Sequence, residues 1–329
     1  MTENGHATNL GSAPRLETAK ISLMLALPSI QVRVPATSAN LGPGFDSLGL
    51  ALTLYNRLGF EIAAVDGLTV TGEGQSELGA ETRTIAHAAA HRVFQSLDVD
   101  IPGVHLTLEN HVPLARGLGS SSAAIVAGLF AANEWSRQNH DRALSPAELL
   151  DLATDIEGHP DNVAPALLGG LVVSATGDNG HVSAVQVPVA TFPRFAVWIP
   201  EIKLETKTAR GVLPDSYSRA DAIFNLSRSA LLVAALATSN FEALREALRD
   251  KIHQDYRAPL VPGFETLSQA AMKNGALGVT LSGAGPSILF WLPSESNSAL
   301  EAVQKKAIET GVPGRVVELS IDAAGCSLL

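Results

Sequence analysis

The residues best suited to binding or catalysis form a loop rich in glycine and serine, Pro113–Ala123. Gly117 and Gly119 permit positive φ angles and the close approach of a ligand, and the serine hydroxyls at 120–122 can bind phosphate oxygens or a metal ion. A loop before a helix also directs backbone N–H groups and the positive end of the helix dipole towards one anion. The pattern predicts a phosphate-binding loop; an ordinary strand-to-helix turn with a serine N-cap is the alternative.

Two elements must position this loop. Val104, Leu106 and Leu108 alternate with polar residues, which predicts a half-buried strand before it, and the small, apolar run Ala123–Trp135 predicts a buried helix after it. The loop lacks the lysine of the Gly-x-x-x-x-Gly-Lys-Ser/Thr phosphate loop and does not fit Gly-x-Ser-x-Gly. Those two kinds of site are therefore excluded.

A second candidate site follows the predicted strand 30–35. Gly42 and Gly44 flank a proline and force an irregular turn, which presents Asn40 and Asp46 in an otherwise apolar stretch. These two side chains could stabilise the turn itself as Asx turns. Alternatively, they bind a small polar substrate, with the carboxylate facing an ammonium or hydroxyl group.

A third candidate is a polar cluster behind a predicted helix. Ser145 and Glu148 have capping-box spacing, with proline at the first helical position, and predict a helix that runs through Ile156. The chain then places four polar residues within six positions, in a loop constrained by two prolines: Glu157, His159, Asp161 and Asn162. Burial without a ligand would leave such groups unsatisfied, so the cluster favours a binding or catalytic site.

Basic residues and a second glycine loop lie in the last third of the chain. Lys207 and Arg210 follow a predicted strand; they are either a clamp for a carboxylate or phosphate or solvated surface charge. Arg257 precedes a proline-rich turn, and Gly283–Ser287 follows an apolar strand. Two glycine loops on separate lobes suggest a ligand held between them.

The composition limits the class of protein. The 329 residues are 46% apolar and 17% charged, enough for two lobes with a boundary near residue 190. The net charge of −10 argues against a nucleic-acid partner, which requires a cationic surface. His87 and His91, four residues apart on a predicted helix, lack a third ligand nearby and are interpreted as structural polar residues.

The termini carry few signals. The single cysteine, Cys326, cannot form an internal disulfide, which suits a reducing cytosol. The apolar run Ile21–Leu27 is shorter than the ~20 residues that a membrane span needs. We expect residues 1–28 to form an extension, partly disordered, with an added strand or helix near its end.

Taken together, the motifs resemble those of the GHMP small-molecule kinases, a superfamily that includes galactokinase, homoserine kinase, mevalonate kinase and phosphomevalonate kinase. Pro113–Ala123 resembles their ATP-phosphate loop, and Gly283–Ser287 resembles their C-terminal glycine motif. Within the superfamily, Pro35–Asp46 and His159–Pro165 resemble homoserine kinases specifically. The resemblance spans about residues 30 to 320.

This resemblance implies an α+β, two-lobed GHMP kinase fold. The N-terminal lobe, residues 29–190, would resemble domain 2 of ribosomal protein S5 and bind ATP. The C-terminal lobe, residues 191–329, would be ferredoxin-like. The implied reaction is phosphorylation of the L-homoserine hydroxyl by ATP, giving O-phospho-L-homoserine for threonine biosynthesis. Another GHMP-type kinase, or a non-catalytic nucleotide-binding protein on the same fold, is the alternative.

The resemblance also implies roles for individual residues. ATP would be bound by Pro113, Leu114, Ala115, Arg116, Gly117, Leu118, Gly119, Ser120, Ser121, Ser122 and Ala123. The amino-acid substrate would be bound by Asn40, Asp46, His159, Asn162, Thr206, Arg210, Arg257 and Gly283. A homodimer in the cytoplasm, without nucleic-acid or membrane partners, is expected.

A magnesium ion would bridge the ATP phosphates. Its implied ligands are a loop serine, Ser121 or Ser122, and a glutamate, for which Glu157 is the first choice and Asp151 or Asp155 the alternatives. Asn162 stands where mevalonate and galactose kinases use an aspartate as general base. We therefore expect Asn162, Arg210 and Glu157 to act in catalysis by positioning and electrostatic stabilisation, without a strong base.

Overall fold

The computed structural model describes residues 29–329. The predictions for residues 1–28, including the extra strand or helix, lie outside the described residues. The described chain contains two β-sheets with helices packed on them. The eleven strands are β1 (Ile30–Ala39), β2 (Leu48–Ile62), β3 (Gly67–Gly72), β4 (Val104–Asn110), β5 (Leu171–Thr176), β6 (Val182–Val187), β7 (Arg194–Pro200), β8 (Gly278–Leu281), β9 (Ile288–Leu292), β10 (Gly314–Leu319) and β11 (Ser327–Leu328).

The first lobe is built on a seven-stranded sheet. Its main path is β11-β1-β2-β4-β3, and β5 pairs with β2 and β6. All pairings are antiparallel except that of β3 with β4. The helices of this lobe are α1 (Gln75–Leu78), α2 (Ile85–Ser96), α3 (Ser120–His140), α4 (Pro146–Glu157) and α5 (Pro160–Leu168).

The apolar residues predicted to surround the glycine–serine loop form the core of this lobe. The alternation in β4 buries Val104, Leu106 and Leu108, as predicted for a half-buried strand. Helix α3 buries most of its small and apolar side chains, and its Trp135 packs edge-on against Phe94 of α2 at 5.7 Å between ring centroids. The loop between β4 and α3 is thus anchored by buried elements on both sides.

Local capping signals determine where α4 and α5 meet. The Ser145 Oγ accepts a hydrogen bond from the backbone N–H of Glu148, whose carboxylate accepts one from the Ser145 N–H, so the predicted capping box is confirmed. Helix α4 ends at Glu157; Gly158 follows with φ of 92°, and α5 begins at Pro160. This sharp turn places the polar residues of the cluster beside one another.

The second sheet has the strand order β10-β7-β9-β8, and every neighbouring pair is antiparallel. With helices after β7 and between β9 and β10, this is the ferredoxin-like arrangement, so the predicted α+β fold is confirmed. The helices of the second lobe are α6 (Thr206–Gly211), α7 (Arg219–Ala237), α8 (Leu244–Ala247), α9 (Gln254–Arg257), α10 (Phe264–Lys273) and α11 (Ser298–Glu309), with 3₁₀ turns at Phe241–Ala243 and Ala258–Leu260.

Residues 219–248 form two helical segments, α7 and a 3₁₀ turn at Phe241–Ala243 that continues into the single-turn α8. Ser239, with φ of 54°, separates the two segments. The end of the chain leaves the lobe expected for residues 191–329. Ile321 bridges Leu52, and β11 pairs with β1 of the first sheet.

One helix of the described residues, α7, is long and apolar enough to cross a membrane, with a mean hydropathy of 1.4. Arg228 lies in its middle, pairs with Glu246 and stands 3.7 Å from the centroid of the Phe224 ring. Leu232 and Leu236 of the same helix are buried in a core shared with both sheets. A central ion pair is costly in hydrocarbon, so these contacts indicate a helix packed on the protein core.

Candidate active site

A cleft between the two lobes collects most of the polar residues singled out by the sequence. It is bordered by the glycine–serine loop, the turn between α4 and α5, the β1–β2 loop, and residues of the second lobe. Its lining is Asn40, Asp46, Ala115, Gly117, Gly119, Ser120, Ser121, Glu157, His159, Asp161, Asn162, Thr206, Arg210, Arg257, Gly283 and Ala284. All eight residues expected to bind the amino-acid substrate therefore meet in one place.

The glycine–serine loop ends as the N-terminus of α3. Gly119 is the N-cap, with φ of 69°, so the first-turn N–H groups of Ser120 and Ser121 have no carbonyl partner within the helix. A side chain at Gly119 would bring its Cβ within 2.0 Å of the Thr37 Oγ1, and one at Gly117 would come within 2.2 Å of the Ser282 carbonyl oxygen. Glycine is required at both positions for space as well as for φ, and the open N–H groups are suited to bind an anion.

The second lobe holds this loop in place. The Ser282 Oγ donates to the Gly117 carbonyl at 2.7 Å, and the Leu204 N–H donates to that of Ala115 at 3.1 Å. The Arg116 guanidinium donates to the carbonyls of Pro200 and Glu201, so this side chain is directed away from the cleft. The loop is therefore preorganised by contacts between the lobes.

The remaining loop residues expected to bind ATP do not line the cleft. Pro113 and Arg116 line a neighbouring groove, while Leu118 and Ala123 are fully buried in the core. Leu114 packs beside Gly74. Ser122 is buried, but its hydroxyl reaches the carboxylate of Glu157.

Glu157, the last residue of α4, contacts the first turn of α3. Its two carboxylate oxygens accept hydrogen bonds from the hydroxyls of Ser121 at 3.0 Å and Ser122 at 2.7 Å. The two alternative carboxylates lie elsewhere: Asp151 accepts from the Val182 N–H, and Asp155 pairs with an exposed arginine. Serine hydroxyl and carboxylate oxygens are ligands that suit Mg²⁺, so the donor set at Glu157 fits this ion.

A second group of possible metal ligands in the described part of the chain is Asp46, His159 and Asp161. The Asp46 carboxylate is already bonded by two nitrogens of Arg210, at 2.7 and 3.0 Å. The Asp161 carboxylate lies 2.5 Å from the Nδ1 of His159. Because a neighbouring cation holds Asp46, this group fits the recognition of a charged substrate better than a metal ion.

The Asp46–Arg210 pair places opposite charges side by side at the cleft surface. The hydrogen bonds to Asp46 raise the pKa of Arg210, outweighing its partial burial, which acts in the opposite direction. Each side chain keeps about a third of its surface exposed. The pair is therefore accessible to a ligand with both a carboxylate and an ammonium group.

Arg257 is a second cation at the cleft, and it is 1% exposed. Burial, and then the charge of Arg210, lower its pKa to about 10. Its Nε donates to the Ala209 carbonyl at 3.1 Å, and its Nη1 lies 3.2 Å from the Nδ1 of His253. A buried guanidinium with so few anionic contacts is well suited to bind a ligand carboxylate.

Buried residues behind Arg257 fix its position. Burial lowers the pKa of His253. The neutral ring can accept from Arg257 through Nδ1 and donate to the Gly42 carbonyl, 2.9 Å from Nε2. The Asp250 carboxylate accepts from the backbone N–H groups of Ile252, His253 and Gln254. This network links the arginine to the β1–β2 loop.

The β1–β2 loop holds three non-glycine residues in the left-handed region: Asn40 (φ 67°), Leu41 (φ 47°) and Asp46 (φ 54°). The Asn40 Nδ2 donates to the Gly283 carbonyl at 2.9 Å, while its Oδ1 accepts from the Asp46 N–H at 3.0 Å. The Asn40 side chain therefore joins the far end of its own loop to the second glycine loop; its bond to Asp46 spans six residues and is not an Asx turn, which spans two. Such backbone strain is held by the surrounding contacts and fixes the Asp46 carboxylate.

His159 lies at the turn between α4 and α5. Burial opposes its charged form, but the hydrogen bond to Asp161 and the charge of that carboxylate outweigh burial and raise the pKa of His159. Asp161 is 1% exposed and also lines the cleft. The two side chains form a hydrogen-bonded polar pair in the lining of the cleft.

The sequence reasoning missed some functional candidates and included others that lie outside the cleft. Asp161 was noticed only as part of the polar cluster, and Thr37, inside the Pro35–Asp46 motif, was not singled out. Thr37 is buried and donates from Oγ1 to the Asn162 Oδ1 at 2.8 Å. A buried threonine in that motif could have been found as a partner for a pocket residue. Lys207 is exposed and does not line the cleft.

Other polar residues have structural roles. His87 Nδ1 accepts from the Thr84 N–H at the start of α2, and His91 Nε2 lies 2.9 Å from an Asp66 carboxylate oxygen. Cys326 is buried, and burial raises the pKa of its thiol. None of these side chains lies at the cleft.

Comparison with known proteins agrees with this architecture. The model of the GHMP kinases N terminal domain matches residues 84–170, and that of the GHMP kinases C terminal domain matches residues 232–309. The chain is 42% identical to the homoserine kinase of Desulfitobacterium hafniense over 301 residues, covering 91% of this chain and 100% of the relative. It is 44% identical to the homoserine kinase of Moorella thermoacetica over 292 residues, covering 88% of this chain and 96% of the relative.

A crystal structure of homoserine kinase from Cytophaga hutchinsonii has the same fold, with a TM-score of 0.81 and 28% identity, covering 92% of this chain and 98% of that one. The match extends over both lobes and over the cleft between them. Together with the identity to the bacterial relatives, it shows that the chain belongs to the GHMP kinases and, within them, to the homoserine kinase family.

Proposed function

We propose that this chain transfers the γ-phosphoryl group of ATP to the side-chain hydroxyl of L-homoserine, which gives O-phospho-L-homoserine and ADP. One observation carries the proposal: a glycine–serine helix N-terminus and the Asp46–Arg210 pair line the same cleft. The first suits a phosphate chain, and the second suits a zwitterionic amino acid. The product would serve threonine biosynthesis.

Substrate recognition follows from the charges of the cleft. Arg210 and Arg257 would bind the substrate carboxylate, and Asp46 would bind its ammonium group. The bidentate Asp46–Arg210 contacts of 2.7 and 3.0 Å would be exchanged for contacts with the substrate, so each charge remains compensated. A neutral sugar offers neither partner, which explains why such a cleft would discriminate against it.

The ATP phosphates would lie on the N-terminus of α3, with Gly117, Gly119 and Ser120 nearest to them. Ser121 and Glu157, whose oxygens are 3.0 Å apart, would hold Mg²⁺. When bound, the ion neutralises charge on the phosphates during transfer. The chain itself supplies the oriented N–H groups and the fixed carboxylate.

Asn162 would lie beside the reacting hydroxyl, and no strong base is assigned to the reaction. Phosphoryl transfer through a loose transition state depends mainly on positioning and on stabilisation of charge. Arg210 and Glu157 would contribute by holding the substrate and the metal, respectively. These are the three residues to which we assign catalytic roles.

The proposal includes a cytoplasmic homodimer. Ile223 and Leu226 of α7, which are 58% and 72% exposed, are the apolar surface that we propose a second copy would cover. Sedimentation of the wild-type protein and of Leu226→Glu tests this assembly. A wild-type monomer at micromolar concentration would contradict it.

An ADP-release assay tests the activity. Purified protein with Mg-ATP is compared on L-homoserine, L-threonine, L-serine, mevalonate and galactose. We expect turnover to be fastest with homoserine. No ADP formation with homoserine would refute the proposal; ATP binding without ADP formation would indicate a nucleotide-binding protein, and turnover of galactose or mevalonate alone would indicate another GHMP-type kinase.

A further inference from the structure

We propose that Thr37 is a positioning residue, whose hydroxyl orients the amide of Asn162 so that its nitrogen, and not its oxygen, faces the reacting groups. The inference deepens the proposed function and rests on it. Thr37 lies outside the cleft lining and would act only through Asn162. The role assigned to Asn162 thereby becomes that of a hydrogen-bond donor.

The contact is formed in a closed environment. Thr37, on β1, is 0% exposed, and its Oγ1 donates to the Asn162 Oδ1 over 2.8 Å. The Thr37 N–H donates to the Leu118 carbonyl of the phosphate loop at 3.1 Å. The missing Cβ of Gly119 leaves the space in which the two side chains meet, since that atom would lie 2.0 Å from the Thr37 Oγ1. Three elements thus converge on one hydrogen bond.

The hydrogen-bonding capacity of the two groups determines the orientation of the amide. In residues 29–329, the Thr37 hydroxyl has one side-chain contact, the oxygen of Asn162. If the amide were rotated by half a turn, its NH₂ group would face the hydroxyl, and the hydroxyl proton would be left without an acceptor. A buried donor without an acceptor is unfavourable, so the orientation with oxygen towards Thr37 is preferred.

The amide nitrogen is then the part of Asn162 available to the cleft. Its N–H groups can donate to the substrate hydroxyl oxygen or to an oxygen of the γ-phosphoryl group. Because the amide oxygen is engaged by Thr37, Asn162 does not take the hydroxyl proton. The side chain stabilises developing negative charge instead.

The reaction balances without a base at this position. The substrate oxygen forms a bond to the γ-phosphorus, the bond from that phosphorus to the β,γ-bridging oxygen breaks, and ADP leaves with the electron pair. The hydroxyl proton passes to an oxygen of the transferred phosphoryl group and from there to water. No further reactant is needed.

Thr37→Val and Thr37→Ser test the inference. Valine keeps the shape and removes the hydroxyl, so we expect kcat to fall roughly tenfold, the loss of about one hydrogen bond in the transition state, with little change in the KM for ATP. Serine keeps the hydroxyl and should restore most of kcat. The matched control is Thr280→Val, which removes another fully buried hydroxyl, the acceptor for the Trp291 indole N–H, and should lower the melting temperature without changing kcat.

A double-mutant cycle with Asn162→Ala separates positioning from general damage. If Thr37 acts through Asn162, Thr37→Val will have almost no effect on kcat in the Asn162→Ala background. Equal effects in both backgrounds, or an unchanged kcat in Thr37→Val alone, would overturn the inference while leaving the proposed function intact. Homoserine turnover by the wild-type protein tests that function separately.

Asn162→Asp provides a second test that does not alter Thr37. The carboxylate still accepts from the threonine hydroxyl but presents an oxygen, not N–H groups, to the cleft. We expect kcat to fall at least tenfold at every pH between 6 and 9, about the loss of one donated hydrogen bond. An unchanged or higher kcat would show that an acceptor is needed here and would contradict the inference.

Discussion

Replacing Arg210 by alanine should weaken the binding of homoserine much more than the binding of ATP. Arg210 makes two hydrogen bonds with Asp46, at 2.7 and 3.0 Å, and its guanidinium lies 5.5 Å from the centroid of the Phe45 ring. The same fork that binds the aspartate can bind a substrate carboxylate. Within residues 29–329, Arg210 makes no hydrogen bond or ion pair with the glycine–serine loop.

The expected magnitude follows from these contacts. A hydrogen bond to a charged group contributes about 1.5–3 kcal/mol. The side chain is 37% exposed, so solvent screening places the effect near the lower end of that range. At about 1.4 kcal/mol per tenfold change, we expect Arg210→Ala to raise the KM for homoserine roughly 10- to 30-fold. Arg210→Lys should give a smaller rise, because the charge remains and only the planar fork is lost.

Steady-state kinetics with each substrate varied in turn will measure this difference. The matched control is Arg228→Ala, which removes another ion-paired arginine of the second lobe, on α7 and outside the cleft lining. It should leave both KM values unchanged. Equal increases in both KM values for Arg210→Ala, or the same increase in the control, would refute our reasoning about substrate recognition.

Three further predictions concern the metal, the loop and the polar turn. Glu157→Gln should raise the Mg²⁺ concentration for half-maximal activity at least tenfold, about the cost of one charge-assisted contact, whereas Asp155→Asn, on the same helix but exposed, should not. Gly119→Ala should abolish ATP binding measured by calorimetry, because its Cβ meets a buried hydroxyl at 2.0 Å; Gly158→Ala, with φ of 92° and open space, should lower only the melting temperature. Because the pKa of His159 is raised in the folded protein, its protonated form stabilises the fold. This stabilisation is complete below about pH 6.5 and is lost as the pH rises through the folded-state pKa. The amount by which the melting temperature of the wild type exceeds that of His159→Gln should therefore decrease as the pH rises.

Each of these predictions has a contradicting outcome. A Mg²⁺ dependence that is the same in Glu157→Gln as in wild type would exclude this carboxylate as a metal ligand. Normal nucleotide affinity in Gly119→Ala would show that the loop can shift to make room for a methyl group. If the difference in melting temperature between the wild type and His159→Gln increased at alkaline pH, protonated His159 would not be the stabilising form.

The sequence was sufficient for features that depend on neighbouring residues. The capping box at Ser145, the strand alternation at Val104–Leu108 and the glycines of the phosphate loop each produce their local geometry by short-range hydrogen bonding or backbone sterics. Family motifs extended this to the two-lobed fold. The pairing of β11 with β1 of the first sheet was not predicted, because local spacing does not reveal contacts between distant parts of the chain.

The candidate site was predictable as a set of residues but not as an arrangement. Motif positions identified Asp46, Arg210 and Arg257 and made Glu157 the first choice of metal ligand. Only the structure shows that Glu157 contacts the loop serines, whereas Asp151 and Asp155 have other partners. Arg116, which belongs to the loop motif, faces the second lobe because carbonyls from β7 and the following residue accept its protons. Membership in a motif does not specify the direction of a side chain.

The sequence by itself therefore determined the local elements, the family and most of the residues that line the cleft. Only the tertiary structure decided which of them touch: Thr37 meets Asn162 across 125 positions, Arg210 meets Asp46 across 164, and Asn40 meets Gly283 across 243. Such contacts depend on how β1, α5 and the second lobe pack together, which is a property of the whole core and not of any segment. This is why the orientation of the Asn162 amide, on which the proposed chemistry depends, follows only from the assembled lobes.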